Sequence, residues 1–291
     1  MKKLFVSLTA IAVLLGATSS LHANEVVAKT NGVPTEEGMA AYLLVYSKDD
    51  THSLHFALSS DGYSFTDVNN GDPIINGQRI AEQKGVRDPH IMRGPDNVFY
   101  MAMTDLHIYA QDKGLRETRW QRDGDRYGWG NNRALVLMKS SDLISWTHAN
   151  VRVDRAFPGL GEIGCAWAPE MIYDQKQGKI MLYFTMRFGN GRNDLYYTYM
   201  NDDFTRMETL PERLFDYPTD CTCIDGDITR VGDKFHLFYV PHDGTPGIKQ
   251  ARSEQIGEGY VYDPAWYDSE AAKCEAPNIW KRIREDKWVL M

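Results

Sequence analysis

The feature that most constrains this chain is a short acidic motif that recurs ahead of strand-like segments. Its copies are Asp88-Pro89-His90-Ile91-Met92, Trp167-Ala168-Pro169-Glu170-Met171-Ile172, Ile224-Asp225-Gly226-Asp227-Ile228 and Glu275-Ala276-Pro277-Asn278-Ile279. Each sets an acid beside Pro or Gly and leads through an apolar stretch and a polar turn into an apolar or aromatic strand. The turns read Gly94-Pro95-Asp96-Asn97, Asp174-Gln175-Lys176-Gln177-Gly178 and Gly232-Asp233-Lys234, and the strands after them include 98–103, 180–184 and 235–240. Short runs of this kind bounded by such turns are hairpins. A second motif repeats as well: Ser59-Ser60-Asp61-Gly62-Tyr63-Ser64-Phe65 matches Ser140-Ser141-Asp142-Leu143-Ile144-Ser145-Trp146 at most positions.

The later copies recur about every fifty residues, the length of one propeller blade. A lone blade cannot bury both faces of its sheet, so several must pack around an axis. With 40–76 counted as a further blade, the expected fold is all-β, a five-bladed β-propeller over 40–291. First strands line the channel and run in one direction. Asp88, Glu170, Asp225 and Glu275 are therefore expected at equivalent places around one end of the axis. Acids crowded together must separate their pKa values or share a cation.

Length alone, 291 residues, suggests two domains, but the repeat argues for one. The net charge of −8 and the lack of a basic block argue against nucleic acid and anionic membrane as partners. Residues 1–23 read as a secretory signal peptide, with Lys2-Lys3, an apolar run and a small-residue end at Ala23. The expectation is an exported monomer, periplasmic or secreted, without membrane insertion, and with 24–39 as a linker. Cys165, Cys221, Cys223 and Cys274 suit buried thiols or one disulfide, and their spacing does not suit zinc.

Two carboxyl groups facing each other across a sugar are what glycoside hydrolysis needs, one as acid and one as base or nucleophile. Trp129, Tyr127, Trp167 and His90 could supply stacking faces, and Arg87, Arg187 and Arg133 could orient hydroxyls. The polar insertion near 111–133 reads as a solvated loop or as a wall over the site.

The ordered set Arg87-Asp88-Pro89-His90-Ile91, Cys165-Ala166-Trp167-Ala168-Pro169-Glu170, Ile224-Asp225-Gly226-Asp227-Ile228 and Glu275-Ala276-Pro277 resembles glycoside hydrolase family 43. These are five-bladed propeller glycosidases of the arabinofuranosidase and xylosidase type. The resemblance implies Asp88 as catalytic base, Asp225 as the acid that tunes pKa, and Glu275 as general acid, in an inverting reaction. Inverting pairs stand about 6.5 to 9.5 Å apart. Arg87, His90, Trp129, Trp167, Arg187 and Asp227 are expected at the substrate, and the resemblance implies Glu170 as substrate-binding or structural. Gly226 departs from the usual proline, and Asp227 competes for the role of Asp225. No cofactor is required; a structural calcium, with His242 as a candidate contact, is left unassigned.

The expected function is an exported glycosidase releasing pentose residues from plant polysaccharide, with α-L-arabinofuranosidase preferred. A β-xylosidase, a galactan-directed hydrolase, a phosphorylase on a related scaffold and a non-catalytic glycan-binding propeller are the alternatives. The sequence stops at Trp288-Val289-Leu290-Met291, inside an apolar strand. That ending reads as a truncated last blade with incomplete ring closure, and a poorly folded or inactive chain is expected from it.

Overall fold

The computed structural model describes residues 36–116, 122–245, 247–268 and 274–291. The expected signal peptide, most of the linker and part of the 111–133 insertion lie outside the described residues. The first sheet is β1 (Tyr42–Ser47), β2 (Leu54–Ser59) and β3 (Thr66–Asp67). The second is β4 (Val86–Arg93), β5 (Phe99–Asp105), β6 (Ala134–Ser140) and β7 (Thr147–Arg152). The third is β8 (Ile163–Asp174), β9 (Lys179–Phe188), β10 (Asp194–Tyr199) and β11 (Glu212–Arg213). The fourth is β12 (Cys223–Val231), β13 (Lys234–Pro241), β14 (Ile248–Ser253) and β15 (Val261–Asp268). The fifth position holds only a hairpin, β16 (Ile279–Lys281) and β17 (Trp288–Leu290). Every pairing is antiparallel between sequence neighbours.

Strand alternation explains why these sheets pack side by side. On β5, Met101 and Met103 face the first blade while Tyr100 and Ala102 face the third. On β9, Leu182, Phe184 and Met186 face the second blade, and Met181 and Tyr183 face the fourth. Successive residues thus enter different interfaces, so a strand buried on both faces is apolar throughout. The serine–aspartate motif has the same structure in both copies. Asp61 Oδ1 accepts from the Tyr63 and Ser64 amides, and Asp142 Oδ1 accepts from those of Ile144 and Ser145. In each blade this turn leads into the outermost strand.

The described residues therefore form an all-β propeller of four blades, not five. The fourth acidic motif leads into a hairpin that pairs only with itself. The opening expected between the two ends of the ring is bridged by side chains. The Tyr42 hydroxyl accepts from the Ile283 amide, Arg282 Nε donates to the Asp61 carbonyl at 3.2 Å, and Trp280 meets Phe65 edge-on at 6.2 Å. Cys165 and Cys223 are buried thiols. No helix of the described residues is long and apolar enough to cross a membrane.

Candidate active site

The acidic motifs are β-bulges. Pairing between β4 and β5 shifts between Arg87 and His90, between β8 and β9 from Trp167 to Glu170, and between β12 and β13 from Ile224 to Asp227. In each, two residues oppose one, and the first takes a positive φ: Asp88 at 48°, Ala168 at 42° and Asp225 at 53°. Ala276, ahead of the hairpin, matches them at 56°. Alanine in this conformation costs about 1 to 2 kcal/mol, so the surrounding structure must hold it there. The second bulge residue is Pro89, Pro169 or Gly226, with Pro277 at the same place. Proline suits it because it has no N–H to leave unpaired. At 226, an added Cβ would come within 2.8 Å of Leu195 Cδ1 and 3.1 Å of Leu237 Cδ1, which accounts for glycine there. Gly226→Ala is expected to cost about 1 kcal/mol through overpacking, read as a lower midpoint in urea.

Aligned on these bulges, the four acids do not occupy one equivalent place. Asp88 and Asp225 share the positive-φ position. Glu275 comes one residue earlier, level with Arg87, Trp167 and Ile224. Glu170 comes two residues later, level with His90, Asp227 and Asn278. The result is two tiers. A charge on one residue can be matched by charge on another in sequence, whereas the backbone is anchored by the residue that lacks an N–H or a side chain.

The upper tier gathers Asp88, Asp225 and Glu275. The Thr104 hydroxyl donates to Asp88 Oδ2 at 2.8 Å and accepts from the Ala168 amide of the next blade at 2.9 Å. Thr185 repeats the link one blade on, accepting from the Asp225 amide at 3.1 Å. Asp225 Oδ2 in turn accepts from the Ala276 amide at 3.1 Å. Burial and then the negative charge of Glu275 push the Asp88 carboxyl up, against Thr104 and Arg87. Burial, and then Asp88 and Glu275, raise Asp225 to about 7. Glu275 is exposed at the mouth.

The lower tier joins blade to blade. His90 Nδ1 accepts from the Met171 amide at 3.2 Å, and burial drives its pKa down to about 4, so the ring is neutral and can accept. The Tyr183 hydroxyl donates to Glu170 Oε2 at 3.0 Å and accepts from the Ile228 amide at 2.9 Å. Asp227 Oδ2 accepts from the Ile279 amide at 2.6 Å. Burial and the neighbouring Asp227 raise Glu170 well above the ordinary carboxylate range, and burial raises Asp227 to about 7. The structure thus places His90, Glu170 and Asp227, expected at substrate, against backbone amides and one another.

At the rim, Trp129 is 68% exposed and meets Trp167 edge-on at 6.0 Å. The Trp167 indole donates to the Gly130 carbonyl at 3.0 Å. Arg187 is buried and donates to the carbonyls of Tyr127 at 2.9 Å and Trp129 at 2.6 Å, with its guanidinium 4.7 Å from the Trp167 ring. Arg187 therefore holds the loop that presents Trp129, where an orienting contact to sugar hydroxyls was the expectation. Tyr127 is covered by Arg122 at 3.7 Å and does not offer a free face, and Arg133 stands 3.7 Å from Asp154. Arg87 pairs with Asp49 at 2.5 Å beside Asp88. Gly130 has φ +64°, and a Cβ there would lie 2.9 Å from the Trp167 ring.

Thr104, Thr185, Tyr183 and Asp49 are members of the site that the motifs did not single out. Thr104 and Thr185 stand opposite Arg87 and Trp167 in register, a repeat visible only once the bulges are aligned. Among the described residues no group of three or more His, Cys, Asp or Glu side chains that could hold a metal ion is found, and His242 is exposed. A cavity of about 770 Å³ lies where β4, β8 and β12 end, lined by Arg93, Tyr173 and Arg230, at the opposite end from the acids.

A family profile described as "Probable glycosyl hydrolase domain", of the glycosyl hydrolase 43-related group, matches residues 37–291. No curated protein matches the chain. Among solved structures, a thermostable family-43 glycoside hydrolase superposes with a TM-score of 0.60 at 12% identity, over 86% of this chain and 79% of that one. An α-L-arabinofuranosidase (CtGH43) from Clostridium thermocellum ATCC 27405 gives 0.54 at 11% identity, over 82% and 70%. Xylan β-1,4-xylosidase from Bacillus halodurans C-125 gives 0.55 at 13% identity, over 78% of this chain and only 40% of that one. At these identities the structures establish a shared fold, and the sequence match goes further: the chain belongs to the glycosyl hydrolase 43-related family.

Proposed function

We propose that the protein is an exported, inverting glycoside hydrolase that releases pentose residues from plant polysaccharide, with α-L-arabinofuranosides preferred. The observation that carries this reading is the upper tier, where Asp225 holds the amide next to Glu275 and burial and neighbouring acids push the Asp88 and Asp225 carboxyls up at the mouth of the ring. Asp88 takes a proton from water as that water attacks the anomeric carbon. Glu275 gives a proton to the departing oxygen, and its exposure lets the leaving sugar exit. Asp225 neighbours both and holds the Ala276 amide beside Glu275. Trp129 and Trp167 offer an angled aromatic wall for the sugar face.

A nitrophenyl α-L-arabinofuranoside and the matching β-xyloside test the reading, with the product anomer followed by NMR. Release of inverted arabinose, lost in Glu275→Gln, is the expected result. Release of xylose alone would favour the xylosidase reading, and equal turnover in Glu275→Gln would remove the site. Gly130→Ala is expected to raise KM about tenfold with little change in kcat, because it displaces Trp167 and the loop bearing Trp129 without touching the acids.

A further inference from the structure

Three residues, Ala276, Pro277 and Asn278, separate the exposed Glu275 from Ile279, the first strand residue of its hairpin. The direction of Glu275 depends on how that segment is held. Pro277 has no N–H, and the Asn278 amide is engaged by the Met291 carbonyl within the hairpin itself. The amides on either side reach the fourth blade. Ala276 donates to Asp225 and Ile279 donates to Asp227, two aspartates that flank Gly226 on β12. We propose that Asp227 is a positioning residue for Glu275, holding the far end of the acid's segment while Asp225 holds the near end. The proposal rests on the reading of Glu275 as general acid.

The lower tier shows why an acid stands at this position. Its counterpart His90 makes the same kind of link to Met171 with a neutral ring, but there the receiving strand belongs to a full four-stranded blade. The segment received by Asp227 leads only into the β16–β17 pair and contains the positive-φ Ala276. The Ile279–Asp227 bond, at 2.6 Å, is shorter than the 3.2 Å Met171–His90 bond and anchors that segment more tightly. Tyr183 of the third blade donates to Glu170 and accepts from the amide of Ile228, the residue after Asp227, so a third-blade side chain braces the stretch of the fourth blade that grips the hairpin. Asp227 is 5% exposed, leaving it little room to contact a sugar.

Two measurements on the full chain test this. Hydrogen exchange reports the anchoring directly, and Asp227→Ala is expected to speed exchange across 276–280 by at least about tenfold while leaving 86–93 unchanged. Hydrolysis of two aryl α-L-arabinofuranosides reports its consequence. A dinitrophenolate departs without a proton, whereas phenolate needs one. Asp227→Ala is therefore expected to lose about 10²-fold in kcat on the phenyl substrate and little on the dinitrophenyl substrate, following Glu275→Gln. Asp227→Asn, whose amide oxygen still accepts from Ile279, is expected to recover much of the loss and covers the case in which the alanine variant fails to fold. Unchanged exchange at 276–280, or equal losses on both substrates, would overturn the proposal. A wild type that cleaves neither substrate, with the exchange difference intact, would overturn the hydrolase reading and leave the anchoring supported.

Discussion

Asp88→Asn is expected to lower kcat on an aryl arabinofuranoside by about 10²- to 10⁴-fold while leaving KM within about threefold. The substitution is nearly isosteric, and its amide oxygen can still accept from Thr104, so the link from Thr104 to the Ala168 amide of the third blade survives. What is lost is the ability to take a proton from water. The pH profile adds a second handle. Burial and Glu275 hold the Asp88 carboxyl above the ordinary aspartate range, whereas Arg87 pulls it down. A base works only when ionised, so the acidic limb of the wild-type profile is expected above that of a solvated aspartate. Arg87→Ala should move that limb further up, because it removes a positive charge that favours the carboxylate. Turnover above about a tenth of wild type in Asp88→Asn would place the base elsewhere.

Hairpins and blades were legible because each strand carries its own evidence, an apolar run bounded by turn residues. The number of blades was less so, since a blade is defined by pairing, and pairing partners of β17 leave no mark in β17 itself. The tiers were hidden for a different reason. Aligning the motifs on their acids puts Glu170 and Glu275 level with Asp88 and Asp225, but the fold aligns them on Pro89, Pro169, Gly226 and Pro277, the residues that a bulge constrains. Arg187 illustrates the limit of reading function from residue type. Its guanidinium resembles a ligand for hydroxyls, and only the structure shows its donors spent on the carbonyls of Tyr127 and Trp129. Thr104 and Thr185 were silent because threonine in a strand is ordinary, and their role lies in standing opposite a bulge.

Asp225→Asn is expected to abolish most activity and yet to stabilise the protein above neutral pH. The Asp225 carboxyl has its pKa raised to about 7 by burial, Asp88 and Glu275, whereas in the unfolded chain it titrates near 3.9. Between those values the native state holds a proton that the unfolded chain has released. Its contribution is therefore fully favourable below about pH 4 and is lost as pH rises through about 7. Buried histidines act in the opposite sense over part of this range. His52, His90 and His107 lie near 4 and destabilise the native state as pH falls below the unfolded histidine value of about 6.5. The pH curve of the wild type mixes both, and the difference between wild type and Asp225→Asn isolates the aspartate. Asparagine keeps an acceptor for the Ala276 amide and needs no ionisation between Asp88 and Glu275. The variant should exceed wild type by about 1 to 4 kcal/mol at pH 8, with the lower figure applying where water screens this half-buried group, and the gain should vanish near pH 4. Urea unfolding at pH 4, 6 and 8 measures it. A difference that does not change with pH would mean that Asp225 titrates normally in the folded protein, and the crowding of acids that carries the catalytic reading would then be absent.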